Sequence, residues 1–288
     1  MKNIVISSSF LDFLDECPEK YRLGGEMNLV SAISSPSYFS EGTLGHRALE
    51  NHYKRIIENR EKEEKDKIPY NLIIEQGRDV ILTGAVEFDL PAETIEHLRN
   101  VYQQYAIYYK DDPWIPVAVE GEFSKVLAEI PELDTTITFL GKIDLIVENP
   151  QAGEGIVFPV DHKFVAQKTE YSRRSNQVIG YSWATDSNTL IINKVGKQKT
   201  LPPAEKFQRQ ILTVTPETIE EWKEQVIHKI LEYEAYKESG FIPKRLSQCS
   251  NRGVKCMFYE ICDSSQEMRE GKLGILFKKN TSYHMGRE

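Results

Sequence analysis

The 288-residue chain carries a formal net charge of −8, with 28% charged and 40% apolar residues. That composition supports a real core and one large domain, and the negative balance speaks against a protein that coats nucleic acid indiscriminately. No apolar run is long enough to span a bilayer, and "MKNIVISSSF" lacks the apolar stretch of a signal peptide, so a soluble, cytoplasmic protein without a membrane partner is expected.

Along the chain, "SSSFLDFLDECPEKYRL" predicts a helix capped near Ser7 or Ser8, with Phe10, Leu11, Leu14 and Tyr21 apolar, and broken at Pro18. "EGTLGHRALENHYKRIIENREKEEK" predicts a second helix with Leu44, Ala48, Leu49, Tyr53, Ile56 and Ile57 on one side and an exposed charged end. "AETIEHLRNVYQQYAIYYK" predicts a third. The pattern then turns β-rich in "PVAVEGEFSKVL", "TITFLGKIDLIVE" and "GIVFPVDHKF". "SNQVIGYSWATDS" returns to helix, "NTLIINKV" and "FQRQILTVT" read as strands, and "PETIEEWKEQVIHKILEYEAYKES" reads as a long helix with proline in its first turn.

This order predicts an α/β fold with a mixed central β-sheet flanked by helices. One domain over 1–288 is expected: a mainly helical part at 1–110, a core at 111–240, a cysteine segment at 241–263 and a loosely ordered polar tail at 264–288. No internal repeat and no P-loop motif occurs. The short basic clusters, Arg173–Arg174 and Lys194, Lys197 and Lys199, read either as solvated loop faces or as a local groove for nucleic acid.

The stretch "GKIDLIVENPQAGEGIVFPVDHKF" carries the chemistry. Ile143–Val147 and Ile156–Val160 flank a Gly/Pro/Asn-rich turn, as in a β-hairpin. Charges are usually kept out of such strands, yet Asp144 sits in the first and Asp161 and Lys163 close the second. Strand side chains alternate, so Asp161 and Lys163 share a face, with His162 opposite. If the strands pair, two carboxylates and an ammonium converge. Two close carboxylates repel, and a divalent cation resolves the conflict; oxygen ligands suit Mg²⁺ or Mn²⁺. Such a site suits phosphate hydrolysis, with a lysine beside it to orient water or stabilise developing charge. Similar triplets, Glu63/Lys65, Glu221/Lys223 and Glu270/Lys272, lie in charged helical or tail segments without a neighbouring strand carboxylate.

"GKID", "VDHKF" and "QVIGY", in that order, resemble the RecB-type branch of the PD-(D/E)XK nucleases, over about residues 40 to 185. The resemblance implies a restriction-endonuclease-like core and a Mg²⁺- or Mn²⁺-dependent deoxyribonuclease. It makes Asp144, Asp161, Lys163, Gln177 and Tyr181 the catalytic set. Gln177 and Tyr181, four apart, share a helix face. His46 in "GTLGHRALE" corresponds to the family's helical histidine, so the implied metal ligands are His46, Asp144, Asp161 and the backbone carbonyl of His162. Glu120 or Glu122 in "VAVEGEF" fills the family's upstream glutamate position, and the sequence does not choose between them.

The cysteines number four: Cys17 in "ECPEKYRL", then Cys249, Cys256 and Cys262 in "CSNRGVKCMFYEIC". One early cysteine plus a late triplet reads as a metal site, and four thiolates suit either Zn²⁺ or an iron–sulfur cluster. The pattern resembles the iron–sulfur subset of the same nucleases, which includes AddB-type nuclease domains and CRISPR-adaptation exonucleases. This implies a structural 4Fe-4S cluster stapling the two ends of the chain. The chain departs from those relatives in the six residues between Cys249 and Cys256, where a shorter spacing is common. The implied activity is exonuclease action on single-stranded DNA or DNA ends, in repair, recombination or CRISPR adaptation, with a protein partner from one of those processes. The alternative is a non-catalytic module that binds DNA ends and keeps a structural iron–sulfur or zinc site.

Overall fold

A computed structural model describes residues 2–32, 37–167, 169–251 and 253–280. In chain order the first elements are β1 (Lys2–Ile6), α1 (Ser8–Glu16), the helical turn α2 (Pro18–Lys20), β2 (Leu29–Ser31), α3 (Ser37–Arg60), α4 (Tyr70–Gly84) and α5 (Ala92–Tyr108). Next come β3 (Ile115–Ile130), β4 (Thr135–Glu148), β5 (Val157–Val165), α6 (Asn176–Ala184), β6 (Thr189–Gly196), α7 (Pro203–Lys206), β7 (Phe207–Thr213) and α8 (Pro216–Glu238). The chain closes with β8 (Ser250–Asn251), β9 (Val254–Lys255), α9 (Tyr259–Cys262), α10 (Gln266–Leu276) and β10 (Phe277–Lys279). The class is mixed α/β, with parallel and antiparallel strand pairs flanked by helices, as the pattern predicts. Among the described residues, no helix is long and apolar enough to cross a membrane.

The contacts gather into two units that interleave along the chain. The first comprises Met1–Ser34, Ser124–Gly141 and Pro216–Glu288. Here β1 runs parallel to the start of β4, from Lys2 opposite Thr135 to Ile6 opposite Phe139. The Ser7 hydroxyl caps α1 by accepting the Phe10 N–H at 3.3 Å. The helix stops at Cys17, and Pro18 opens the next turn, where its missing N–H costs nothing. Along α8, Ile219, Trp222, Val226, Ile230 and Tyr233 are buried, with Trp222 edge-on to Phe139 at 5.4 Å and Tyr233 edge-on to Tyr21 at 4.6 Å. The segment after Asp263 differs from expectation. It forms α10 and β10, and β10 pairs antiparallel with β2. Phe277 and Leu273 draw this polar stretch into place by packing with Leu23, Phe258 and Ile261.

The second unit comprises Ser35–Phe123 and Lys142–Thr215. Helices α3, α4 and α5 pack together and bury Leu44, Leu49, Ile74, Ile81, Leu98, Tyr102 and Tyr105 against Val147, Val160, Ile191 and Val195 of the strands. The end of β4 pairs antiparallel with β5, β5 parallel with β6, and β6 antiparallel with β7. The hairpin turn between β4 and β5 holds Gly153 at φ 127° and Gly155 at φ 72°, conformations open to glycine at little cost.

Candidate active site

The predicted hairpin exists and aligns the predicted charges. Leu145 pairs with Val160, a register that one step further sets Asp144 opposite Asp161. The Asp144 Oδ2 accepts the His162 backbone N–H at 2.7 Å and lies 3.2 Å from His46 Nδ1. Asp161 is 5% exposed; its Oδ1 accepts Gln177 Nε2 at 2.8 Å, and its Oδ2 stands 2.8 Å from Lys163 Nζ. Among the described residues no hydrogen bond reaches the buried Oδ2, so Lys163 meets it as an ion pair. Four motif residues, His46, Asp144, Lys163 and Gln177, thus meet around Asp161 or its neighbour. Tyr181 lies one turn along α6, its ring buried edge-on to Phe123 at 5.4 Å.

Each titration follows from these contacts. Burial raises the Asp161 carboxyl, assisted by the charge of Asp144 and opposed by Lys163. Burial acts the same way on Asp144, but the hydrogen bond and charge of His46 outweigh it and hold this carboxyl down at about 2. Burial opposes charge on His46 and on Lys163. The hydrogen bond and charge of Asp144 nevertheless raise His46, and the charge and contact of Asp161 raise Lys163. The site therefore rests as two opposed ion pairs around one carboxylate oxygen that lacks a well-placed donor.

The His162 ring serves the core, as strand alternation predicts. It is 2% exposed, stacks on Tyr53 at 5.7 Å and lies 2.8 Å from Asn193 Nδ2. Asn193 also donates to the Tyr105 hydroxyl at 2.6 Å. Burial pushes this imidazole down to about 3, so only the backbone of His162 faces the carboxylates' chemistry.

The two upstream glutamates differ. Glu120 is half-buried at φ 51°, pairs with Lys142, and has its carboxyl raised by burial and by the charges of Asp144 and Glu50, whereas Glu122 is exposed. The left-handed backbone at Glu120 breaks strict strand alternation there. Tyr171 is a neighbour that sequence reasoning missed. Burial raises its hydroxyl, while the charges of Lys163 and Asp161 act on it in opposite directions. No motif spacing marks it, because it comes from the connection between β5 and α6. Arg173 and Arg174 in the same connection are exposed. The second basic cluster is a solvated face only at Lys199, which is exposed and pairs with Glu93 at 3.0 Å: Lys194 is 5% exposed on β6, and Lys197 pairs with Glu41 at 2.6 Å. By contrast Glu63 and Lys65 are an exposed surface pair.

Among the described residues, no group of three or more His, Cys, Asp or Glu side chains is arranged to hold a metal ion. The donor chemistry at Asp144 and Asp161 nonetheless fits Mg²⁺ or Mn²⁺. Magnesium is commonly held by one or two carboxylates, with water and substrate phosphate completing the shell, and a cation there would share Asp161 Oδ2 with the Lys163 ammonium that now faces it at 2.8 Å. The four cysteines are free thiols, and all line one pocket in the first unit. Cys17 Sγ accepts the Arg245 N–H at 3.4 Å, and the Cys256 N–H donates to the Cys249 carbonyl at 2.9 Å. Burial pushes the Cys256 thiol up and the Cys262 thiol up to about 11. As placed, these thiols share a pocket without forming a coordination shell.

Residues 5–263 match the PD-(D/E)XK nuclease superfamily, and the chain belongs to it. That superfamily consists of nucleases that typically use Mg²⁺ or Mn²⁺, in agreement with the carboxylate pair. No curated protein matches the chain. Among solved structures, one described as "Crystal structure of SSO0001" is 9% identical over 66% of this chain and 74% of that chain, with a TM-score of 0.31, a likeness too weak to carry an argument.

Proposed function

We propose that the protein is a Mg²⁺- or Mn²⁺-dependent deoxyribonuclease of the RecB-like branch, acting as an exonuclease on single-stranded DNA or DNA ends. The observation that carries this reading is the convergence of His46, Asp144, Asp161, Lys163 and Gln177. Asp144, Asp161, His46 and the His162 carbonyl would hold the cation, which supplies charge on a phosphoryl oxygen and a more acidic water. Gln177 fixes the Asp161 carboxylate through Oδ1, so Oδ2, which faces Lys163, is the oxygen that would meet the cation. Lys163 meets charge that develops on the phosphoryl oxygens and orients the attacking water. Arg173 and Arg174 contact backbone phosphates, and Tyr181 supports the strand's path. A complete Asp–Asp–Lys set disfavours the rival reading, a module that binds ends without cutting.

The test incubates the purified protein with end-labelled single- and double-stranded DNA, with and without Mn²⁺. Cation-dependent shortening from an end supports the reading. Tight binding without cleavage in Mg²⁺ or Mn²⁺ refutes it. Lys163→Met should lower the single-turnover rate with little loss of DNA affinity, whereas an affinity loss alone would make Lys163 a phosphate clamp.

The cysteine pocket belongs to the same proposal. The RecB-like iron–sulfur resemblance and the gathering of four free thiols around one pocket support a structural 4Fe-4S cluster there. Such a cluster would close a loop between Cys17 and Cys262, which restricts the unfolded chain by about 4–5 kcal/mol on the disulfide model. Iron content and melting temperature measured together in Cys17→Ala and Cys256→Ala test it. A protein without iron, or one loaded with zinc alone, sinks the cluster and leaves the nuclease assignment standing.

A further inference from the structure

The face of strands that carries Asp161 and Lys163 extends beyond the motif residues. Lys163 is the register partner of Lys194 on parallel β6, and Lys194 is the partner of Gln208 on β7. Register partners on neighbouring strands point to the same face. Val165, two residues after Lys163, shares it about 7 Å further along. Beside these residues lies a cavity of about 100 Å³ walled by Val165, Gln167, Thr169, Lys194, Gln198 and Gln208, among others.

Two groups in this wall lack what they need. Lys194 is 5% exposed, and among the described residues the one anion its ammonium meets is Glu170, at 3.1 Å, on a side chain that is itself 67% exposed, with the Tyr171 ring 6.0 Å away. Burying an ammonium costs several kcal/mol unless an anion answers it, and an exposed glutamate is a weak answer. Gln198 Oε1 is buried and has no hydrogen-bond partner among the described residues. The bare backbone of Gly196 allows this: a Cβ there would stand 2.6 Å from that oxygen. Gln210 fixes the nearby chain by accepting the Tyr171 N–H at 3.0 Å and donating to the Tyr171 carbonyl at 2.8 Å. The cavity thus offers a cation for an anion, a carbonyl for an N–H donor, and two further carboxamides. A nucleotide satisfies all of them, with its phosphate on Lys194 and its base amino or ring N–H on Gln198.

We propose that this cavity is a nucleotide subsite, receiving the base of a nucleotide that flanks the scissile phosphate. The inference rests on the nuclease reading and deepens it. A base enters a side cavity only when it is unpaired, which single-stranded or frayed DNA supplies without the cost of flipping the base out of a duplex, so that is the substrate class the cavity favours.

The experiment measures cleavage of end-labelled single-stranded oligonucleotides in Mn²⁺ by the wild type, Gln198→Ala and Lys194→Met, with melting temperatures as a check on folding. One substrate series carries a single abasic position walked along the strand. For the wild type, an abasic position at one fixed offset from the cut should raise KM about tenfold with kcat little changed, the scale of one base's contacts. Gln198→Ala should raise KM on the intact strand, and the abasic penalty should then vanish. Lys194→Met should reduce the slope of log KM against log salt by roughly 0.7, the share of one single-strand phosphate. Equal KM at every abasic position, or an undiminished penalty in Gln198→Ala, overturns the subsite while cleavage itself upholds the nuclease. No cleavage by the wild type overturns both. If Lys194→Met fails to fold, the abasic series with Gln198→Ala decides alone.

Discussion

Replacing Gly45 by alanine sets two effects against each other. In a helix interior alanine is favoured over glycine by about 1 kcal/mol. Gly45, however, is buried where α3 meets β5, and a Cβ there would lie 2.2 Å from Phe164 Cζ and 2.4 and 2.5 Å from its neighbours in the ring. Carbon atoms in contact prefer roughly 3.5–4.0 Å, so helix and ring must part by more than about 1 Å. The ring is hemmed in by His46, whose centroid is 5.7 Å away. Overpacking costs about 1–3 kcal/mol, which exceeds or cancels the helix gain, so a net loss of up to about 2 kcal/mol is expected. The chemical consequence is larger. His46 follows Gly45 on the helix, and its Nδ1 is 3.2 Å from Asp144 Oδ2, so a retreat of about 1 Å ends that contact. Because His46 is a proposed cation ligand and also orients Asp144, its displacement should raise the Mn²⁺ concentration for half-maximal cleavage about tenfold. Thermal melts and Mn²⁺ titrations of Gly45→Ala, Phe164→Leu and the double variant measure this, and the double should recover most of both losses. A Gly45→Ala protein as stable as the wild type with an unchanged Mn²⁺ requirement would refute the reasoning.

Asp161→Asn should abolish cleavage while changing stability by no more than about 1 kcal/mol in either direction, because burial already disfavours the charge that the change removes; residual cleavage near the wild-type rate would remove Asp161 from the site. Protonated His46 repels a divalent cation, and Asp144 holds its titration above the ordinary 6.5. The Mn²⁺ requirement should therefore fall as pH rises through that raised value, and a His46→Ala protein with the same pH profile would contradict this. His52 is 2% exposed, its Nδ1 lies 3.0 Å from the Tyr102 hydroxyl, and burial lowers it to about 4. Its unfolded form binds a proton near 6.5, so its contribution is complete above that pH and is lost as pH falls from 6.5 towards 4, by about 3 kcal/mol. Urea midpoints between pH 7 and 4 should fall less steeply in His52→Phe than in the wild type, and parallel curves would exclude His52 as the cause.

The fold was legible where a pattern is local and two-sided. Helices α3, α5, α6 and α8 and strands β3 to β7 all carry their own periodicity. Four elements do not. β1 is five residues whose meaning comes from pairing with Thr135–Phe139, more than a hundred positions away. α4 buries Ile73, Ile74, Gly77 and Ile81, but the charged tract before it hides its start, and Pro69 at its N-cap offers no side-chain hydrogen bond to signal one. The polar α10 and β10 are held by β2 and by the packing of Phe277 on Leu23, and neither β2 nor Leu23 is visible in a window around the tail.

The site divides along the same line. Asp144, Asp161 and Lys163 were legible because a hairpin converts short sequence separation into contact, and period-two alternation then decides which side chains meet. Gln177 was legible only through its resemblance to a motif; its bond to Asp161 crosses from helix to strand and has no sequence signature. Strand alternation alone could not separate Glu120 from Glu122, since both positions nominally share a face. The left-handed residue at 120 changes that, placing one carboxyl half-buried within reach of Asp144's charge and leaving the other in solvent. The same reasoning explains why Gly45 escaped notice beside His46. A glycine's role there is the space it leaves for Phe164, and a sequence does not show which ring will occupy that space. What is hardest to read is the support beneath the carboxylates, the chain from His162 through Asn193 to Tyr105 and Tyr53. Its members come from α3, α5, β5 and β6, and each alone reads as an ordinary core residue. Only their convergence makes them the layer that fixes the strand on which Asp161 and Lys163 are carried.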